Sequence, residues 1–384
     1  MASSIAPERG LGKGPGVPDG ILASGIFLLA GVGFATLWSA SSGYAISLGK
    51  PSWYFALRQL QYFAPALVLF VLATVMPIEA LRTNIFPITV AGLVILLLPF
   101  VPGLGQERNG ATRWISLGFT TIQPSEFWKP VSVIYLAHVL DRRNARETEN
   151  KASLVLPFAL VASGAGIIYI QNDFSTAFIA LVVAAAVFWF AGAPLSAFLG
   201  FGAAGLSLGA LIVLTSDFRL RRILAFLFPE YEPHGQSYQI LGSLRAIREG
   251  GFFGKGLGLG TLKVGSIPAV QSDFIFASWA EESGFIGILA FFALWALVAG
   301  RAFMNSFLEG DGFRSFLGFG LAFLLAFQVL INTAVAAGVV PATGIALPFF
   351  SAGGSSLIGS SVTAGLLVNL GMKPRSAARE EAHG

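Results

Sequence analysis

Asp273 opens an apolar stretch in the run QSDFIFASWAEESGFIG, so its carboxylate is expected at the outer end of a membrane span. A lipid-linked molecule presents its polar head at that level. A carboxylate there can take a proton as a general base. Ser272 or Asp273 can equally cap the following helix by accepting a free backbone N–H, although a cap alone would tolerate Asn at 273. Glu281 and Glu282 follow eight and nine residues later. On a straight helix they fall about 12 Å and 13.5 Å deeper, about 80° and 180° around the axis from Asp273. Carboxylates at that depth need partners, and a structural ion pair or network is the favoured role for both.

Cations and anion-binding backbone come from other stretches. NGATRWISLGFTTIQPSEFWKP supplies Arg113 and Trp114 in an outer loop, then Glu126 and Lys129 as a span begins. Glu126 and Lys129 are three apart and can pair on a helix. Alternatively Arg113 and Lys129 bind an anionic head group, for which the guanidinium fork suits phosphate oxygens. The stretch from 216 to 272 carries Arg219, Arg221, Arg222, Arg245, Arg248, Lys255 and Lys263 against Asp217, Glu230, Glu232 and Glu249. Such an excess can attract diphosphate or anchor at the interface. PFFSAGGSSLIGSS puts Ser355 and Ser356 at a helix N-terminus, able to hold an anion or merely to cap and pack. The glycine cluster GGFFGKGLGLG lacks nucleotide-loop spacing, so it reads as flexible backbone or close approach to another segment. Gln328 and Asn332 share one helix face and are expected to bond between helices. Three scattered histidines give no metal or triad pattern.

These residues must be carried by membrane helices. Of 384 residues, 55% are hydrophobic and only 11% charged, which a soluble globular domain does not show. Spans are expected near 20 to 42, 52 to 76, 85 to 101, 122 to 140, 152 to 171, 174 to 191, 195 to 215, 273 to 300, 315 to 340 and 355 to 372. The fold class is an all-α polytopic membrane protein of about ten transmembrane helices, with a long extracytoplasmic loop (216–272) between helices 7 and 8. It forms one membrane domain over 20–372, between a disordered cytosolic tail at 1–19 and a second at 373–384. With the N-terminus inside, cytosolic segments hold twelve of the 24 basic residues and the short outer loops only Lys50, Arg108 and Arg113. That fits the positive-inside rule, with both termini cytoplasmic. Arg58 and Lys129 remain within spans. Tyr238 to Ile247 has apolar residues at helical spacing beside Arg245 and Arg248, as an amphipathic re-entrant or interfacial helix would. Cysteine is absent, which excludes disulfides and thiolate metal sites.

Taken together, NGATRWISLG with QPSEFWK, NDFSTA at Asn172 to Ala177, RLRRILAFLFPE, YQILGSLRAIREGGFFGKGLG, SDFIFASWAEESGFIG and PATGIALPFFSAGGSS resemble the SEDS family of bacterial cell-wall proteins, which includes FtsW, RodA and SpoVE. The similarity runs from about residue 25 to 372, and NGATRW and RLRRILAFL look more like the FtsW branch. The resemblance implies a peptidoglycan glycosyltransferase that polymerises lipid II at the outer face of the bacterial cytoplasmic membrane. Its expected partners are a class B penicillin-binding protein and other divisome or elongasome membrane proteins, at the division septum, with no nucleic acid. The family's essential aspartate maps onto Asp273, implying a general base. Candidate substrate-binding residues are Arg113, Trp114, Glu126, Lys129, Arg245, Arg248, Lys255, Ser355 and Ser356, the cations serving the diphosphate leaving group. No cofactor is certain. A divalent cation, Mg2+ or Mn2+, bridging the diphosphate is compatible with the resemblance, but no ligand set is visible. The chain departs from the family pattern in three places: Ala269 and Gln271 stand where Glu and His are usual, Ala352 replaces a common Tyr, and Asn172 replaces Pro. A lipid II flippase and a RodA-like elongation polymerase are the alternative readings.

Overall fold

The structure, a computed structural model, describes residues 18–108, 110–118, 120–146, 154–200, 202, 224, 226–228, 236–261 and 271–372. The two expected tails, most of the seventh expected span, Ala269 and the basic residues Arg219, Arg221, Arg222 and Lys263 lie outside them.

Helices α1 (Gly20–Ser47), α2 (Tyr54–Val75), α3 (Ile78–Thr83), α4 (Ile85–Leu97), α5 (Pro124–Ala145), α6 (Val155–Ile170) and α7 (Phe174–Phe190) precede the long loop. Helices α8 (Gln236–Gly250), α9 (Ile275–Leu308), α10 (Gly312–Ala336) and α11 (Gly354–Leu370) follow. Each expected span but the seventh thus has its helix, and residues 195–200 begin that one. Among the described residues, α1, α2, α9 and α10 are long and apolar enough to cross a membrane unaided. The others are shorter or, like α5, carry charges that lower their hydropathy. The expected amphipathic helix is α8. The sequence reading did not foresee the small antiparallel sheet between α4 and α5. Its strands β1 (Gly105–Arg108), β2 (Ala111–Ser116) and β3 (Thr121–Ile122) lie in the order β1-β2-β3.

Small residues and side-chain amides set the packing, as in membranes, where water drives no association between helices. α11 packs most extensively on α2. A Cβ at Gly365 would stand 2.5 Å from the Phe70 carbonyl oxygen, so only glycine allows this approach. Asn369 donates from Nδ2 to the carbonyls of Ala73 (3.0 Å) and Met76 (2.6 Å). Asn332 does the same between segments, donating to Asp273 O (3.2 Å) and Ile345 O (2.7 Å).

Ion pairs close one end of the bundle. Asp19 caps α1, accepting from Ile21 N and Leu22 N at 3.1 Å, and binds Arg301 and Asn305 of α9. Arg82 of α3 donates to Asp141 (2.7 Å) and Asp311 (3.2 Å). From this end, roughly nineteen residues of α1 lead to Ser39 and roughly nineteen of α9 lead back to Glu282, about 28 Å in each case. There Ser39 Oγ donates to Glu282 Oε1 at 2.6 Å. The separation of this contact from the Asp19 end is thus close to one hydrocarbon thickness. The straight-helix expectation fails because α9 is broken at Gly284 (φ 65°, ψ −164°).

Candidate active site

A cavity of about 500 Å³ opens at the boundary opposite the Asp19 and Arg82 clusters. Asp273, Arg113, Trp114, Glu126, Lys129, Ser355 and Ser356, seven of the ten expected catalytic and substrate-binding residues, line it together.

Asp273 sits in the turn just before α9, whose N-cap is Phe274 with no side-chain cap. The backbone around Asp273 is tied to the loop before α11. Ala352 N donates to Gln271 O (2.7 Å), Ser351 Oγ to Ser272 O, and Leu347 N to Ser351 Oγ (2.8 Å). Gly344 lies beside Asp273, and its φ of 70° is what favours glycine there, since a Cβ would meet Asp273 Oδ2 only at an ordinary contact distance of 3.6 Å.

The cations are held rigidly. Lys129 Nζ donates to both Glu126 carboxylate oxygens at 2.9 Å, with both residues buried. Arg113 reaches Asp173 at 3.2 Å and lies 4.4 Å over the Trp114 ring. Asp173 also accepts from Gln123 Nε2 (2.7 Å) and from Thr176 N at the start of α7 (3.3 Å). Neither pair exhausts its cation, since an ammonium has three donors and a guanidinium five. Asn172, where the family pattern has Pro, takes φ 62°, which a proline ring cannot reach. Its Nδ2 donates to Gly110 O (2.7 Å), bracing the sheet that carries Arg113. Ser355 Oγ accepts from Gln123 N (2.9 Å), so the first turn of α11 is fastened to the start of α5 with its N–H groups toward the cavity.

Three expected substrate-binding residues are not in the cavity. Arg245 and Arg248 are exposed on α8. Lys255 is committed to Glu249 (2.5 Å) and Glu281 (2.8 Å), and those two hydrogen bonds raise its pKa. These positions correct the sequence expectation. Charge in one long loop did not translate into one surface, because α8 and the glycine cluster dock on α9 instead. The expected network at Glu281 and Glu282 is present: Glu281 accepts from Lys255 and Thr261 N (2.8 Å), and Glu282 from Ser39 and Gly258 N (3.1 Å). The glycine cluster makes the close approach anticipated for it, with Lys255 N and Gly256 N donating to Glu281 O and Glu282 O at 3.0 Å.

Arg58, Gln59 and Tyr62 of α2, Arg108 of β1 and Gln328 of α10 also line the cavity. The sequence reading assigned none of them to this site. The available signal was Arg58 itself, an arginine inside a span. Among the described residues, no group of three His, Cys, Asp or Glu side chains could hold a metal ion.

Residues 21–376 match the family model described as "Cell cycle protein" and named for FtsW, RodA and SpoVE. The chain is 34% identical over 351 residues to the probable peptidoglycan glycosyltransferase FtsW of Geobacter sp. (strain M18), covering 91% of this chain and 96% of that protein. It is 34% identical over 353 residues to stage V sporulation protein E of Bacillus subtilis (strain 168), covering 92% and 96%. Among solved structures it resembles a chain from work on "Structural coordination of polymerization and crosslinking by a peptidoglycan synthase complex" (29% identity, TM-score 0.75, covering 92% of this chain and 98% of that one). It also resembles the rod shape determining protein RodA of Thermus thermophilus (27% identity, TM-score 0.69, covering 92% and 97%).

Proposed function

This chain belongs to the FtsW/RodA/SpoVE family and is a peptidoglycan glycosyltransferase of the FtsW-like branch, and we propose that it polymerises lipid II in the cavity around Asp273. The observation that carries this reading is one carboxylate on the wall of a boundary cavity whose other charges are mostly cationic.

The acceptor sugar hydroxyl of one lipid II attacks the anomeric carbon of another, with inversion. Asp273 takes the hydroxyl proton as the new glycosidic bond forms. The bond to the polyprenyl diphosphate breaks, and the diphosphate leaves with the electron pair. Such a leaving group needs positive charge and donors more than a general acid, so a second catalytic carboxylate is not required. Arg113 and Lys129 supply donors not taken by Asp173 and Glu126. Arg58 and Arg108 add charge, and the N–H groups at the start of α11 add a helix terminus. Holding the cations in ion pairs, one of them buried, fixes them before the substrate arrives, which is how preorganised sites stabilise developing charge.

In the proposed orientation the Asp19 and Arg82 clusters face the cytoplasm, with both termini inside, and the cavity opens at the outer leaflet of the bacterial cytoplasmic membrane, at the septum. A class B penicillin-binding protein that cross-links the product is the proposed partner. The resemblance to a chain of a peptidoglycan synthase complex supports it. The test is to give purified protein, with and without that partner, lipid II and to size the products on a gel. Long glycan from the wild type and none from Asp273→Asn is expected. Normal polymer from the variant would remove Asp273 from the chemistry, and transport of lipid II with no polymer from the wild type would favour a flippase.

A further inference from the structure

A second cavity, of about 460 Å³, lies at the opposite end of the bundle from Asp273. It is lined by Arg82 and Thr83 of α3, Ile85 and Phe86 of α4, and His138 and Arg142 of α5. Along α5, His138 and Arg142 stand nine and thirteen residues beyond Lys129, about 13 and 20 Å from the first cavity's wall. The two cavities are therefore separate, and the chemistry described above uses none of these side chains.

Three features indicate a ligand. His138 lines the cavity with only 6% of its surface exposed, and its buried Nδ1 has no hydrogen-bond partner among the described residues, a cost that the packing around it leaves uncompensated. Arg142 makes no side-chain ion pair among the described residues. Phe86, 76% exposed, extends the polar wall into an apolar one where α4 enters the membrane. A phosphate over Arg142 and His138 with an acyl chain along Phe86 fits this layout, and basic pockets between helices on the cytoplasmic side take lipid head groups.

The charge balance narrows the head group. Arg82 is already engaged with Asp141 at 2.7 Å, Asp311 at 3.2 Å and Glu79 at 3.7 Å. One guanidinium against three carboxylates leaves two negative charges, and Arg142 removes one. A plain phosphodiester would restore the excess, whereas one carrying its own ammonium would not. Glu79, whose side chain is 65% exposed one turn before Thr83 on α3, holds Arg82 only loosely at 3.7 Å and lies at the rim of the cavity lining, where it can also meet that ammonium. We infer that this cavity binds the head group of a zwitterionic aminophospholipid of the inner leaflet. The phosphate sits on Arg142 and His138, and the amine faces Glu79. The inference uses the orientation proposed above but not the polymerase chemistry.

Delipidated full-length protein in detergent would be titrated with phosphatidylethanolamine, phosphatidylglycerol or inorganic phosphate. Native mass spectrometry would read retained lipid and thermal unfolding would read stabilisation. Phosphatidylethanolamine should bind and raise the unfolding midpoint. Arg142→Ala and His138→Gln should each weaken it by about tenfold, the worth of one charge-assisted hydrogen bond. Glu79→Gln should narrow the preference over phosphatidylglycerol. Arg142 is exposed, so its variant tests the site even where the His138 variant folds poorly. Equal or tighter binding of phosphatidylglycerol, stabilisation by phosphate alone, or unchanged binding by Arg142→Ala would overturn the inference. None of these outcomes depends on whether the protein makes glycan.

Discussion

Replacing Gly284 with Ala should separate the glycine cluster from α9 and destabilise the segment leading to Asp273. Gly284 has φ 65° and ψ −164°, a region open essentially to glycine alone, so any side chain there costs about 1–3 kcal/mol in backbone strain. Space is also lacking: the new Cβ would stand 2.2 Å from Gly254 N and 2.7 Å from the Phe253 carbonyl carbon, both backbone atoms that cannot swing aside. Relief requires the cluster to move away. Four backbone bonds hold it: Lys255 N to Glu281 O and Gly256 N to Glu282 O at 3.0 Å, Phe285 N to Gly251 O at 2.9 Å, and Ile286 N to Phe252 O at 3.2 Å. Losing two of them at about 1 kcal/mol each brings the total to about 3–5 kcal/mol. Gly251→Ala is the control, because it too has positive φ (55°) but nothing within 4 Å of the new Cβ, so only strain of about 1–2 kcal/mol applies. Thermal unfolding in detergent would compare the two, with protease nicking of the cluster as a local readout. Equal midpoints for the two variants would refute the argument from close approach.

Three further outcomes follow from the same geometry. Glu126→Gln or Lys129→Met alone should each cost about 3–5 kcal/mol by stranding a buried charge, while the double variant should cost much less; unfolding midpoints in a double-mutant cycle measure the coupling. Asn172→Pro, which restores the residue usual in the family, should destabilise by more than about 1 kcal/mol because proline cannot take φ 62°, and unfolding against wild type checks this. Burial works to raise the Asp19 carboxyl, but Asn305, the Leu22 N–H and Arg301 outweigh it and hold the pKa below the ordinary 3.8. Its folded value thus lies below its unfolded one, so the stability it adds is full above pH about 4 and is lost as pH falls through the depressed value. Asp19→Asn should flatten that acid limb of the unfolding profile.

The membrane class and the positions of the spans were legible because bilayer solvent imposes a hydrophobic length that any chain must meet. That Asp273, Arg113, Lys129 and the serines of α11 line one cavity was anticipated from their places at span ends, but residue type alone left capping and pairing roles open and the family resemblance singled out Asp273. What was not legible follows from tertiary geometry. The break at Gly284 invalidates a straight-helix placement of Glu281 and Glu282, and one glycine in an otherwise helical pattern does not announce a kink. Lys255 was expected to face substrate, yet it pairs with Glu281, because composition gives the charge of a loop but not the surface it docks on. Arg108 and Arg58 reach the cavity through the β1–β2 pairing and the packing of α2 on α11. Neither contact is local in the chain.

The central claim is that Asp273 acts on the bond-making step and not on substrate capture. Its most direct test measures lipid II affinity and the single-turnover polymerisation rate on the same Asp273→Asn preparation. Loss of a general base should lower the rate by about 10²–10⁴-fold while affinity stays near that of the wild type. A normal rate, or a loss accounted for wholly by weaker binding, would contradict the role assigned to Asp273.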